Sequence, residues 1–383
     1  MGSCLVRVGL FLALAIASCT NDPQREPEPE PVEEPEPSVE WGSVDPGLAA
    51  ELEAALEAAR VEQDLPGLAM AVAYRDSKKL WVSATGYSDL ATQAEWLPGD
   101  ESRIGSVTKT FTAAIVLQLV EEGVLSLEDP IEAWVPGRYV GPKLVHLLGH
   151  TSGIASYNYI GEFDESASWE PMELVDWAYA HEPMLRFAPG TQWEYSNTNF
   201  VLLGLVIEAA TGGTYGDALQ TRLFDPMLFD DTRLALTGDD SERLVRSYDG
   251  TPPVDNTASA DPSGGWAAGA IVTTPEELAR WTVALYGGAL LAPETLERMT
   301  TSNGLTGPDE EDYGLGTIIE DGADDDSEYT LYGHGGGIAG YATSAYYLKE
   351  RDVALIVMTN WKQVDLRLAA GHGWAAVLGA ESP

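Results

Sequence analysis

Between Thr110 and Val120 the chain reads Thr-Phe-Thr-Ala-Ala-Ile-Val-Leu-Gln-Leu-Val, a nearly unbroken apolar run. Such a run predicts a helix buried on all sides, around which the other elements must pack. Gly123, just past Glu121-Glu122, is its stop signal. Immediately upstream stands Ser106-Val107-Thr108-Lys109, led in by Arg103-Ile104-Gly105. In a helix beginning near Ser106, the hydroxyl and the ammonium lie one turn apart on one face. Ser106 then sits where free backbone N–H groups and the helix dipole favour developing negative charge. Lys109, drawn inward by the run that follows, is expected to be partly desolvated and so to accept a proton from Ser106. These are the components of a nucleophilic serine. Alone, the S-x-x-K spacing is a weak signal, because serine before a helix commonly serves as an N-cap.

The 383 residues can bury a large core in one large or two intimately packed domains. With 21 basic against 61 acidic residues, the net charge of −40 argues against nucleic acid or an anionic membrane surface as a partner. The only two cysteines, Cys4 and Cys19, exclude a disulfide-stapled fold. Both belong to an N-terminal segment with a weakly basic start (Arg7) and an apolar core from Val8 to Ala17, too short to span a bilayer. Ile16-Ala17-Ser18-Cys19 resembles a bacterial lipobox, so residues 1–18 are expected to be a signal peptide and Cys19 a lipidation site. An ordinary signal peptide cut at the Ala-x-Ser stretch is the alternative, and either implies export. From Asp22 to Glu40, proline and eight acidic residues with one basic one predict an extended tether. The membrane is thus expected as a partner only through the N-terminal lipid, on the periplasmic side or cell surface. Residues 41–383 are expected to form the functional body.

In that body, Asp45-Pro46 marks a helix start, followed by Leu48, Leu52, Ala55, Leu56 and Ala59 at helical spacing. Leu68–Tyr74 and Leu80–Thr85 read as a hairpin across a polar turn at Asp76-Ser77. Helix, hairpin and the Ser106 helix predict an α+β fold: an antiparallel sheet flanked by N- and C-terminal helices. Short helical patterns broken by Pro and Gly predict a mainly helical insertion over about residues 128–262. Asn199–Ala210 reads as a helix closed by Gly212, Ala267–Val272 as a strand and Pro275–Tyr286 as a helix. Tyr329–Tyr332 and Tyr341–Leu348 read as strands flanking His334-Gly335-Gly336-Gly337, Val353–Met358 as a buried strand and Gln363–Leu378 as a closing helix.

No G-x-S-x-G elbow occurs, which counts against an α/β-hydrolase. His146 and His150 stand at a zinc-compatible spacing, but Leu147 occupies the place of the H-E-x-x-H glutamate, so no metal is expected. What remains is Ser106-x-x-Lys109, Tyr195-Ser196-Asn197 and His334-Gly335-Gly336, in that order. Together they resemble the three signatures of the serine β-lactamase and penicillin-binding-protein superfamily, the Tyr-x-Asn form pointing to its class C β-lactamase and DD-peptidase-like branch. The resemblance runs from about Asp45 to Leu378 and takes in His150-Thr151-Ser152-Gly153.

That resemblance implies a β-lactamase/transpeptidase-like fold with the active site between sheet and helical region, and no cofactor. It implies that Ser106 forms an acyl-enzyme with Lys109 taking its proton. Tyr195 acts as general base and then general acid, with the choice of principal base left open. Asn197 orients Lys109 and the substrate amide. The backbone N–H groups of Ser106 and Gly337 form the oxyanion hole, with Gly335 and Gly336 letting the strand approach substrate. Many relatives carry Lys-Thr-Gly or Lys-Ser-Gly where this chain has His334-Gly335-Gly336. Histidine is only partly charged near neutrality, so capture of a substrate carboxylate is expected to weaken and become pH-dependent. A DD-peptidase-like or D-amino-acid amidase-like hydrolase of the cell envelope is therefore favoured. Esterase and β-lactamase are the enzymatic alternatives, with small peptide, amide, ester or β-lactam substrates. A non-catalytic lipoprotein that binds wall fragments is the alternative of a different class.

Overall fold

In the computed structural model, the apolar run forms the greater part of a helix, Thr108–Glu121, in which every residue from Thr108 to Leu117 is buried. The structure describes residues 40–239, 241–306, 312–321 and 329–380. The expected signal peptide, Cys19 and the tether lie outside them. All described residues belong to one unit, Glu40–Pro383.

A nine-stranded sheet carries the fold. Its order is Gly42–Ser43, Lys79–Asp89, Gly67–Tyr74, Val353–Thr359, Tyr341–Leu348, Thr330–Ile338, Ile318–Asp321 and Asp312–Tyr313, with Ala94–Glu95 pairing Lys79–Asp89. It is antiparallel throughout except where Gly42–Ser43 runs parallel to Lys79-Leu80, so the sheet is mixed. The Gly67–Tyr74 strand is buried on both faces, and its period of two sorts its side chains. Leu68, Met70, Val72 and Tyr74 join Leu48, Leu52, Leu56 and Ala59 of the N-terminal helix Pro46–Glu62. Ala369, Ala370 and Val377 of the C-terminal helix Leu366–Gly379 are buried in that same layer. On the opposite face Ala69, Ala71 and Ala73 meet the layer built around Phe111, Ile115 and Trp281. Full burial of a leucine such as Leu52 or Leu56 is worth about 1.5–3 kcal/mol, so this packing fixes the register of the central strands.

The N-terminal helix starts where the sequence places it, with Asp45 accepting from the Gly47 N–H at 2.7 Å. The helices Asn197–Thr211, closed by left-handed Gly212, and Pro275–Tyr286 are also found. Two expectations need correction. Ala267-Ala268-Gly269 is not strand but part of a short helix, Trp266–Gly269, and only Ile271–Thr273 is extended. The hydroxyl of Thr112 decides this: it donates to Ala267 O at 2.7 Å, tying that turn to the buried helix. Second, His334 to Gly337 lies within one strand, Thr330–Ile338, and not between two. The mainly helical region also holds short strands, Arg233–Leu234, Tyr248–Asp249 and Val254–Asp255.

Candidate active site

Ser106 lies in a 3-10 turn, Gly105–Val107, that leads into the buried helix, so its N–H has no carbonyl from a preceding turn. Gly105 is left-handed (φ 51°), and a Cβ there would stand 2.6 Å from Gly337 N. A Cβ on Gly336 would stand 2.0 Å from Ile104 O and 2.9 Å from Ser106 N. The strand and the turn thus touch backbone to backbone. They can do so because Ile318–Asp321 pairs with Thr330–Ile338 only as far as Gly333, leaving the rest of that edge to face Ser106. Ser106 and Gly337 both line a cavity of about 380 Å³. The two N–H groups expected to hold an oxyanion therefore border one space.

Lys109 is fully buried and reaches Ser106 from inside: Nζ and Ser106 Oγ are 2.9 Å apart, and Nζ donates to Ala268 O at 2.7 Å. Burial pushes the Lys109 amine well below its ordinary range, toward the neutral form. Burial pushes the Tyr195 phenol up, against the opposing effect of the neighbouring Ser106 hydroxyl, so that it keeps its proton. The Lys109 ammonium position lies 5.0 Å from the Tyr195 ring centre and 5.5 Å from that of Phe200. An alcohol is thus in contact with an unprotonated amine and a protonated phenol. This arrangement can move a proton off Oγ and deliver another to a leaving group.

Asn197 also lines the cavity, but its side-chain amide donates to Asn158 Oδ1 at 3.0 Å. Among the described residues it makes no hydrogen bond to Lys109, whose second partner is the Ala268 carbonyl. His334 departs further from expectation. It is 2 % exposed, and its Nδ1 donates to Gly335 O, which leaves Nε2 to accept from the Tyr313 hydroxyl at 3.0 Å. Burial, with Lys109 nearby, lowers its pKa to about 3. It is therefore neutral near pH 7, with both ring nitrogens engaged, and offers no positive charge to a carboxylate. Gly335 is not pressed: the nearest atom to a Cβ there is Thr343 O at 3.9 Å.

Several members of the site were not legible in the sequence. Ala268 contributes only its carbonyl, which no residue type signals. Tyr313 comes from a two-residue strand that has no pattern of its own. The cavity wall holds Tyr157, Tyr159 and Phe163, with Glu165 and Asp261 as acidic members and Lys362 as the cationic one. Lys362 is largely exposed and stands 3.5 Å from Asp249. His146 and His150 each spend one ring nitrogen on a backbone N–H. His146 Nδ1 accepts from Lys143 N–H, and His150 Nδ1 from Ser196 N–H.

The family model described as Beta-lactamase matches residues 52–378. Penicillin-binding protein 4* of Bacillus subtilis (strain 168) is 26% identical over 297 residues, covering 73% of this chain and 65% of that protein. The chain thus spans less than two thirds of that relative's length. Among solved structures, a D-stereospecific amidohydrolase from Streptomyces sp. is 32% identical with a TM-score of 0.73, covering 87% of this chain and 99% of the other. The D-amino acid amidase from Ochrobactrum anthropi SV3, complexed with L-phenylalanine, is 26% identical with a TM-score of 0.78 over 87% of this chain and 99% of that one. The matched span takes in the sheet, the Ser106 turn, Tyr195 and the glycine strand, and with the fold and site geometry it leads to one conclusion: the chain belongs to the β-lactamase family.

Proposed function

We propose that the protein is a serine hydrolase working through a Ser106 acyl-enzyme, with D-amino-acid amides or short D-peptides as the favoured substrates. The observation that carries the reaction type is the contact of Ser106 Oγ with both Lys109 Nζ and the Tyr195 hydroxyl. In the acylation step, the bond from Oγ to the substrate carbonyl carbon forms as the Oγ proton moves to Lys109. The Ser106 and Gly337 N–H groups carry the oxyanion. The carbon–nitrogen bond then breaks as Tyr195 gives its proton to the leaving amine, and the Lys109 ammonium proton restores the phenol. Water next cleaves the ester: its oxygen bonds to the acyl carbon, its proton passes to the basic group, and Oγ leaves protonated.

The substrate class rests on charge. Penicillin-like and C-terminal D-Ala-D-Ala substrates present a carboxylate, yet His334 is neutral and turned to Tyr313 and Gly335. Glu165 and Asp261 outnumber Lys362 on the cavity wall, which suits a substrate with a free ammonium and no carboxylate next to the scissile bond. The similarity to a D-stereospecific amidohydrolase and to a D-amino acid amidase supports the same class. Esters are the second reading, since they need only the same nucleophile.

Replacing Ser106 by Ala is expected to abolish labelling by a fluorophosphonate probe and turnover of D-phenylalanine amide. The wild type should turn over that amide faster than it releases D-Ala from a D-Ala-D-Ala peptide. Undiminished labelling of the Ser106→Ala protein, or the reverse substrate order, refutes the corresponding half of the proposal.

A further inference from the structure

His150 takes no part in the acyl-transfer steps, yet it holds the chain on both sides of Tyr195. Its backbone carbonyl accepts from the Glu194 N–H at 3.0 Å, and its ring Nδ1 accepts from the Ser196 N–H at 3.2 Å. The Asn199 side-chain nitrogen approaches the same Nδ1 at 3.4 Å, and Asn199 Oδ1 in turn accepts from Ser152 Oγ at 2.7 Å. The ring centre of His150 is 4.3 Å from that of Tyr195, and Trp193, Phe200 and Tyr313 complete its surroundings. Because Nδ1 is an acceptor, the single proton of the neutral ring resides on Nε2, which is buried and has no hydrogen-bond partner among the described residues. His150 also adopts a left-handed backbone (φ 55°), a region uncommon outside glycine but one that histidine, asparagine and aspartate enter more often than other residues. An apolar ring would fill this place without an orphaned N–H, so what histidine adds is the acceptor at Nδ1.

We propose that His150 is a positioning residue that clamps Glu194 and Ser196 and thereby aims the Tyr195 hydroxyl at the reacting atoms for proton delivery to the leaving group. This rests on Tyr195 being the proton donor in the acyl-transfer reading above. The groups facing His150 are Lys109 and His334, which disfavour its charged form, the phenols of Tyr195 and Tyr313, and the Asn199 amide. The ring therefore works as a neutral acceptor, with burial as the main cause.

The clamp predicts a dependence on the leaving group that a merely structural residue would not produce. An amine must receive a proton as it departs, whereas nitrophenolate leaves without one. In His150→Phe the ring is kept and the acceptor lost. Its kcat for D-phenylalanine amide should fall by about 10², the lower end for a general acid, while kcat for a nitrophenyl ester changes less than about fivefold. His150→Asn places an amide oxygen near the Nδ1 position and tolerates the left-handed backbone. It should recover about tenfold of the loss on the amide. Melting temperatures and stoichiometric fluorophosphonate labelling establish that each variant is folded. If His150→Phe does not fold, the amide-to-ester ratio of His150→Asn against wild type still reads the clamp, a lowered ratio supporting it and an unchanged one overturning it. Equal losses on amide and ester, no loss on the amide, or a His150→Asn protein as impaired as His150→Phe also overturn it. A wild type that neither labels at Ser106 nor hydrolyses the ester overturns the acyl-transfer reading and the clamp with it.

Discussion

Gly336→Ala is the sharpest single perturbation of this site, because the added atom meets only backbone. The new Cβ would stand 2.0 Å from Ile104 O, 2.9 Å from Ser106 N and 3.0 Å from Ile104 C. Ordinary contacts between such atoms lie beyond about 3.4 Å, so the strand and the Ser106 turn must separate by more than about 1 Å. No flexible side chain can absorb this. The separation acts directly between the Ser106 and Gly337 N–H groups, whose reach to an oxyanion is about 2.7–3.1 Å. Losing one donor typically costs about 10²–10³ in kcat, or about 2.7–4 kcal/mol. Gly336→Ala is therefore expected to lose about that much on a nitrophenyl ester, which tests the oxyanion hole without a demand for leaving-group protonation. Gly335→Ala is the internal comparison: its Cβ has 3.9 Å of room, so kcat should stay within a few fold of wild type. The assay is steady-state kinetics with melting temperature measured alongside. A Gly336→Ala protein within threefold of wild type, or one indistinguishable from Gly335→Ala, refutes the reasoning.

Two further predictions follow from the buried histidine and from the N-terminal segment. His334 falls from an ordinary 6.5 to about 3 in the folded protein, so below pH 6.5 the unfolded chain binds the extra proton and stability falls with pH. That contribution is complete above pH 6.5 and is lost on approaching pH 3, a total of about 5 kcal/mol. His334→Gln, which can still accept from Tyr313, should therefore lose less stability between pH 7 and pH 4 in urea titrations than wild type, and equal losses contradict it. If Cys19 is the lipidation site, the wild-type chain expressed in bacteria should incorporate radiolabelled palmitate and partition with membranes. Cys19→Ser should do neither, and a palmitate-labelled Cys19→Ser protein rules the assignment out.

Local pattern was enough for the elements whose cause is local. The run after Lys109 could only be a buried helix, Asp45-Pro46 could only open one, and Gly212 had to close another. The pairing of Ser106 with Lys109 was equally legible, because three residues along one helix fix their separation. The order of the three signatures also carried the family and its α+β fold. Residue type alone did not determine what each group meets across the chain. His334 looked like a weak cation until burial and the Tyr313 hydroxyl made it a neutral acceptor. Asn197 looked like a partner of Lys109 until the Ala268 carbonyl, brought in by a turn that reads as strand, took that place. Gly335 and Gly336 looked equivalent until the Ser106 turn packed against Gly336 and left Gly335 free. Charge state, hydrogen-bond partner and steric room all depend on groups distant along the chain, and only the closed tertiary structure supplies those neighbours.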